Sequence, residues 1–291
     1  LSFGVLAVCK YTNFMIGNIN GILSAFGSSG RLSVLKLTLP LGISFYTFQS
    51  VSYVVDVYRG KHEPQKNFFK YALFVSFFPQ LLQGPIGRYE RLGEQLYEGH
   101  AYDLKNIQFG LQRILWGMLK KMVLADRVNA AVTLIFNNYW NYGGWINVFG
   151  VILYSIQLYA DFSGGIDITI GIAQMFGITM DENFRQPFFS RSTWMKDYIF
   201  YPFSLSRCMN KFGKWCKKTF GNNVGKLLPV SLANLLVFFI VGIWHGAAWK
   251  YIMYGMYNGV IIAASGMLAP VYARIHESLH INPKSWWYQV F

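Results

Sequence analysis

Acidic side chains are scarce in this chain: its 291 residues carry 13 Asp and Glu against 26 Lys and Arg, and charged residues make up only 13%. So little charge beside 53% hydrophobic and 18% aromatic residues, with a mean hydropathy of +0.28, excludes an ordinary soluble domain and fits a polytopic membrane protein. The formal net charge of +13 does not require nucleic acid, because Lys and Arg of membrane proteins gather in cytoplasmic loops beside anionic headgroups. The expected partner is the lipid bilayer, and no nucleic acid is expected. Cysteine is nearly absent: Cys9, Cys208 and Cys216 are an odd number, two of them in a basic stretch, so neither a disulfide framework nor a metal knuckle follows. The chain opens on Leu1, residues 1–8 are too short to span a bilayer, and no charged n-region or cleavage site marks a signal peptide, so earlier spans are expected upstream. No G-x-x-x-x-G-K-[ST], G-x-G-x-x-G or G-x-S-x-G occurs, which leaves nucleotide cradling and a serine elbow unsupported and points to histidine chemistry.

What is present is a series of apolar runs. Residues 37–55 carry no charge, and Pro40 and Gly42 predict one helix with an irregular start. Residues 71–83 are apolar and aromatic but break at Gly84-Pro85, short of a full crossing. In residues 107–128, Arg113, Lys120, Lys121, Asp126 and Arg127 interrupt the apolar pattern, which suits an interfacial or cavity-lining helix. Residues 145–160 and 168–180 are apolar on either side of Asp161 and Asp167, and predict two spans or one broken pair. Between residues 198 and 226 there is no acidic residue, while Arg207, Lys211, Lys214, Lys217, Lys218 and Lys226 are present. The positive-inside rule makes 207–226 a cytoplasmic loop. Residues 227–249 then leave the cytoplasm and 251–273 return. With no linker, low-complexity tract or repeat, residues 1–291 are expected to form one domain.

The last outward run holds the residue of most chemical interest. Val241-Gly242-Ile243-Trp244-His245-Gly246-Ala247-Ala248-Trp249 places an imidazole in a stretch otherwise uncharged from 227 to 249. An ionisable group at membrane depth needs a protein or water partner, which marks His245 as a candidate site, the alternative being a core histidine bonded to a neighbouring helix. Gly242 and Gly246, at i and i+4, clear space for a substrate or a neighbouring helix. Asn234, eleven residues earlier, shares a helical face with His245. Asp161, followed by Ser163-Gly164-Gly165, is a candidate to orient an imidazole, hold a hydroxyl, or cap a broken helix.

A competing motif is His276-Glu277-Ser278-Leu279-His280, a literal H-E-x-x-H. Catalytic zinc needs a third protein ligand, and residues 281–291 offer no His, Asp or Glu, so the match reads as chance and no metal is expected.

Several stretches together resemble the membrane-bound O-acyltransferase family, in its bacterial branch similar to alginate O-acetyltransferase and the D-alanyl transferase of teichoic acid. They are Leu39-Pro40-Leu41-Gly42-Ile43-Ser44-Phe45-Tyr46-Thr47-Phe48-Gln49, Asp56-Val57-Tyr58-Arg59-Gly60 and Phe77-Phe78-Pro79-Gln80-Leu81-Leu82-Gln83-Gly84-Pro85-Ile86. Asp161-Phe162-Ser163-Gly164, Glu182-Asn183-Phe184-Arg185-Gln186-Pro187-Phe188 and Trp244-His245-Gly246-Ala247-Ala248-Trp249 follow in the family's order. The resemblance implies an all-α polytopic transmembrane fold, with broken and re-entrant helices around an intramembrane polar site, in the bacterial plasma (inner) membrane.

It also implies that His245 is the catalytic histidine and that an acetyl or similar acyl group passes to hydroxyls of an envelope polysaccharide, or D-alanine to teichoic acid. No bound cofactor is implied; the acyl thioester donor, acetyl-CoA or a carrier-protein thioester, is a substrate, and an export-side acyltransferase is an implied partner. The branch normally carries an Arg-Trp-His element ahead of the motif that begins at Trp194. Here Arg191-Ser192-Thr193-Trp194 joins directly, so a short segment near 191–194 is missing and the second family histidine has no counterpart. Two explanations stand: either the protein truly lacks the element, and the sequence as it stands is then expected to be an inactive acyltransferase, or further residues belong between Arg191 and Trp194. Asn258 stands where another family histidine is frequent. Two readings of other classes are a proton-coupled transporter using His245, Asp161 and Asp167, and an intramembrane zinc protease using His276 and His280.

Overall fold

The computed structural model describes residues 2–37, 40–81, 83–182, 184–186, 189–190, 193–279 and 285. In chain order it begins with α1 (Ser2–Ala25), α2 (Ile43–Tyr58), α3 (Phe68–Val75), α4 (Glu94–Tyr97), α5 (Leu104–Met118), α6 (Asp126–Asn137) and α7 (Gly144–Met175). A short antiparallel pair follows, β1 (Phe184–Gln186) and β2 (Phe189–Ser190), with Phe184 opposite Ser190. The chain continues through α8 (Thr193–Met195), α9 (Tyr201–Ser204), α10 (Arg207–Phe220), α11 (Asn222–His245) and α12 (Trp249–Ser278). Apart from the five residues of β1 and β2, the regular structure among the described residues is helical. Three of these helices are long and apolar enough to cross a membrane: Gly144–Met175, Gly225–His245 and Trp249–Ser278.

Several helix starts are written locally. Asn67 accepts from the amides of Phe69 and Lys70 ahead of α3, Asp103 from Lys105 ahead of α5, and Ser206 from Met209 ahead of α10. In each case a short polar side chain takes donors that the first turn leaves unpaired.

The chain divides into two compact units, Leu1–Cys9 with Lys36–Arg191 and Lys10–Leu35 with Ser192–Phe291. In the first, Phe74, Phe77, Leu92, Ile166, Ile170, Ala173, Ile178 and Met180 form a buried core between α3, the loop after it and the C-terminal half of α7. Beside that core α5 and α7 run antiparallel and touch backbone to backbone. A Cβ added to Gly110 would lie 2.6 Å from the Gly171 oxygen, and one added to Gly117 would lie 2.6 Å from the Gly164 oxygen. The glycines are seven residues, two turns, apart on each helix, so both contacts fall on one seam.

This seam corrects the expected break around Asp161. The glycine pair after Ser163 does not interrupt the helix: α7 runs unbroken through 32 residues. Gly164 serves the α5 contact, and Gly165 leaves room for the Gln83 carboxamide, whose oxygen would be 2.0 Å from an added Cβ. Residues 37–55 also begin their helix later than the apolar run does. Gly42 takes a left-handed conformation (φ 73°) with its Cα face 2.7 Å, measured to an added Cβ, from the Leu81 carbonyl, and α2 starts only at Ile43. The short run 71–83 becomes the eight-residue α3 and a 3-10 turn, Phe78–Gln80. The expected basic loop 207–226 is instead a helix, α10, followed by the first turn of α11.

Gly117→Val is expected to force α5 and α7 apart, because the Gly164 oxygen is backbone and cannot swing aside. Overpacking of this kind costs about 1–3 kcal/mol, read as a lower unfolding midpoint in detergent by tryptophan fluorescence. Gly266→Val, with nothing within 4 Å of its added Cβ, should leave the midpoint unchanged.

Candidate active site around His245

Helix α11 ends on His245 because the residues beyond it are extended, Gly246 at φ −177° and Ala248 at φ −152°. The histidine is thus the last residue of its helix, where the run 227–249 predicts it inside one. Ending a helix there leaves carbonyl oxygens without intrahelical donors. Helix α1 supplies two: the Tyr11 hydroxyl donates to the Ile243 oxygen at 2.5 Å, and the Lys10 ammonium donates to the Trp244 oxygen. The ammonium also complements the negative end of the helix dipole.

The same face of α1 reaches the start of α12. The Phe14 ring lies 5.8 Å from that of Trp249, whose Nε1 donates to Asn18 Oδ1 at 2.7 Å. Lys10, Tyr11, Phe14 and Asn18, spaced along one side of α1, therefore brace both ends of the three-residue turn 246–248.

Both glycines of the motif are packing residues. An added Cβ on Gly242 would lie 2.6 Å from the Tyr251 oxygen, and on Gly246 2.4 Å from the Tyr251 ring. Gly255 meets Phe238 and Gly242 in return, so α11 and α12 form a hairpin with their backbones in contact. The His245 side chain is exposed, its ring 4.9 Å from that of Trp244. The imidazole therefore stands at the end of a hairpin whose backbone is held from two sides, by α1 and by α12. Asn234 lies half-buried three turns back on α11. Asn258 is half-buried on α12, its amide donating to the Tyr254 oxygen of its own helix at 2.8 Å.

Asp161 and Asp167 belong to the other unit, where they are already paired. Asp161 accepts from Lys121, and Asp167 accepts from Lys120 and from Arg113, whose Nη2 is 2.9 Å away. Arg113 also forks onto Glu182, at 2.6 and 2.7 Å. Hydrogen bonding to Glu182, and then to Asp167, holds the Arg113 guanidinium above its ordinary range against the opposing effect of burial. The Asp161 bond does the same for Lys121. Three cations meet three carboxylates, so the cluster is neutral and ties α5 and the turn after it to α7. Asp161 is in mid-helix and caps nothing. Sequence reasoning noticed these ionisable residues separately; the signal for their pairing was Arg113 and Lys120, seven residues apart on one face, opposite the carboxylates of an apolar helix.

Helix α12 carries His276 and Glu277 in its last turn, and His280 lies outside the described residues, as do Arg191 and Ser192 of the shortened junction. Among the described residues no group of three His, Cys, Asp or Glu could hold a metal ion.

The model of the membrane-bound O-acyltransferase (MBOAT) family matches residues 62–277. The chain belongs to this family. Among curated MBOAT-like relatives it is similar to a probable alginate O-acetylase of Azotobacter vinelandii, 32% identical over 89% of this chain and 50% of that protein. It is also similar to a peptidoglycan O-acetyltransferase of Helicobacter pylori, 31% identical over 94% of this chain and 55% of that protein. A teichoic acid D-alanyltransferase of Bacillus subtilis is 28% identical over 89% of this chain and 74% of that protein. The chain spans about half the length of the alginate O-acetylases it matches. The MBOAT match takes in α11, the turn after His245 and nearly all of α12, while α1 with its bracing side chains lies ahead of it.

Lys10→Met is expected to loosen the end of α11, since a hydrogen bond from a charged donor contributes about 1.5–3 kcal/mol. Amide hydrogen exchange around residues 243–249 should then speed up by roughly tenfold or more, with exchange in α5 and α7 unchanged.

Proposed function

We propose that the chain is the histidine-bearing part of a membrane O-acyltransferase that passes an acetyl group from a thioester donor to a hydroxyl of an envelope polysaccharide. The observation that carries this reading is His245 at the exposed end of α11, in a turn fixed by α1 and α12 within an MBOAT chain. Attack on a thioester carbonyl requires the acceptor hydroxyl to lose its proton as the C–O bond forms, and a neutral imidazole suits that transfer near pH 7. The thiolate then leaves as the tetrahedral intermediate collapses. Acetyl is favoured over D-alanyl because the acetyl-transferring relatives are the more similar ones, 31–32% against 28% identical.

The donor is read as acetyl-CoA or a carrier-protein thioester, the partner as an export-side acyltransferase, and the site as the bacterial plasma membrane with the basic segment 207–226 cytoplasmic. Residues 1–291 are read as one membrane domain of a longer protein, with Asn234 lining the path to His245. A proton-coupled transporter is disfavoured because Asp161 and Asp167 already hold cations.

The test is mass spectrometry of envelope glycans from cells with and without the full-length gene. With the family's Arg-Trp-His element placed ahead of Trp194, acetylation is expected, and His245→Ala in that background should lower it below a few per cent at unchanged expression. Retained turnover would remove His245 from the role of base. Without the element the gene is expected to be silent, since groups acting as a unit do not lose activity additively. Full acetylation by the unaltered junction would show that one histidine suffices.

A further inference from the structure

Helix α10 carries a charge pattern that acyl transfer does not use. Met209 and Cys216 are buried, and Gly213 packs on Pro229 and the Gly225 oxygen, so one face lies against the start of α11. Arg207, Lys211, Lys214 and Lys218, at i, i+4, i+7 and i+11, fall within one narrow stripe on the opposite face, and all four are exposed. None of the four forms an ion pair among the described residues, and the sequence offers no Asp or Glu from Tyr198 to His276 to neutralise them locally. Trp215, beside the stripe, and Phe220, the last residue of the helix, are each 55% exposed with their rings 5.9 Å apart.

Gly225, where a helix long and apolar enough to cross a membrane begins, lies five positions after Phe220. A chain of that length reaches at most about 17 Å, so any bilayer crossed by α11 lies within reach of α10. An exposed indole beside the start of a span is the kind of side chain that settles at the headgroup level. We propose that α10 lies on the membrane surface and that Arg207, Lys211, Lys214 and Lys218 bind the phosphates of anionic phospholipids. Each cation close to an anionic surface contributes about a fivefold preference, and the stripe sums four of them along one helix. This assignment does not depend on the acyl-transfer reading.

The full chain, placed in bilayers of phosphatidylcholine with or without phosphatidylglycerol, reports through Trp215, isolated as the difference from Trp215→Phe. Brominated phosphatidylglycerol should quench that difference several-fold more than brominated phosphatidylcholine at equal mole fraction, and added salt should weaken the preference. R207Q/K211Q/K214Q/K218Q should abolish it, while the charge-conserving R207K/K211R/K214R/K218R should keep it. Equal quenching by the two lipids, or none by either, would overturn the proposal. Loss of the phosphatidylglycerol preference in the presence of soluble polyglutamate, but not of inorganic phosphate at equal charge, would overturn it in favour of an acidic polypeptide.

Discussion

Helices surrounded by hydrocarbon gain little by burying apolar side chains against one another, so their association rests on how closely their backbones approach. In both units of this protein that approach is made at glycine. Gly110 and Gly117 of α5 meet Gly171 and Gly164 of α7, and Gly242 of α11 meets Gly255 of α12. Each contact brings an oxygen or Cα of one helix to where a side chain would stand on the other. The polar groups depend on these seams for their positions. The α5–α7 contact sets Lys120 and Arg113 opposite Asp167, and the α11–α12 contact sets the turn that presents His245.

The two units treat charge in opposite ways. In the first, three cations and three carboxylates compensate one another, with the Lys120 and Asp167 side chains only 13% and 16% exposed. A desolvated charge is tolerable only with a partner, so removing either member of the Lys120–Asp167 pair would leave the other uncompensated. In the second, one ammonium, Lys10, is used to complete a helix end. The cations of α10 have no carboxylate nearby in sequence, which leaves them to the surroundings of the protein.

His245 was legible in the sequence because a titratable group in an uncharged run is conspicuous, although the run predicted it inside a helix and not at the end of one. The residues that hold the turn were not legible, since Lys10 and Tyr11 are more than 230 positions from the carbonyls they serve. Asp161 and Asp167 were visible as carboxylates in an apolar helix, but their partners lie 40 or more residues earlier. The reading of a break at Ser163-Gly164-Gly165 failed for a related reason. Glycine weakens a helix by about 1 kcal/mol when nothing replaces the missing side chain, and here α5 and Gln83 fill the space. Likewise a dense run of lysines reads as a loop, whereas Ser206 and the spacing of Met209, Gly213 and Cys216 fold it as a helix.

The uninterrupted α7 has a consequence for the thickness of membrane it can occupy. Thirty-two residues at 1.5 Å each give about 48 Å of helix, against about 30 Å of hydrocarbon. Tilt alone would have to reach roughly 50° to hide the excess, beyond the range in which spanning helices are found. Where α7 crosses a bilayer, part of it therefore stands among headgroups, and the C-terminal half, which carries Asp167 with its cations, is the part whose chemistry tolerates water. A thicker bilayer would draw that ionic collar toward the acyl chains, and a thinner one would release it, so hydrophobic mismatch acts on the α5–α7 seam directly.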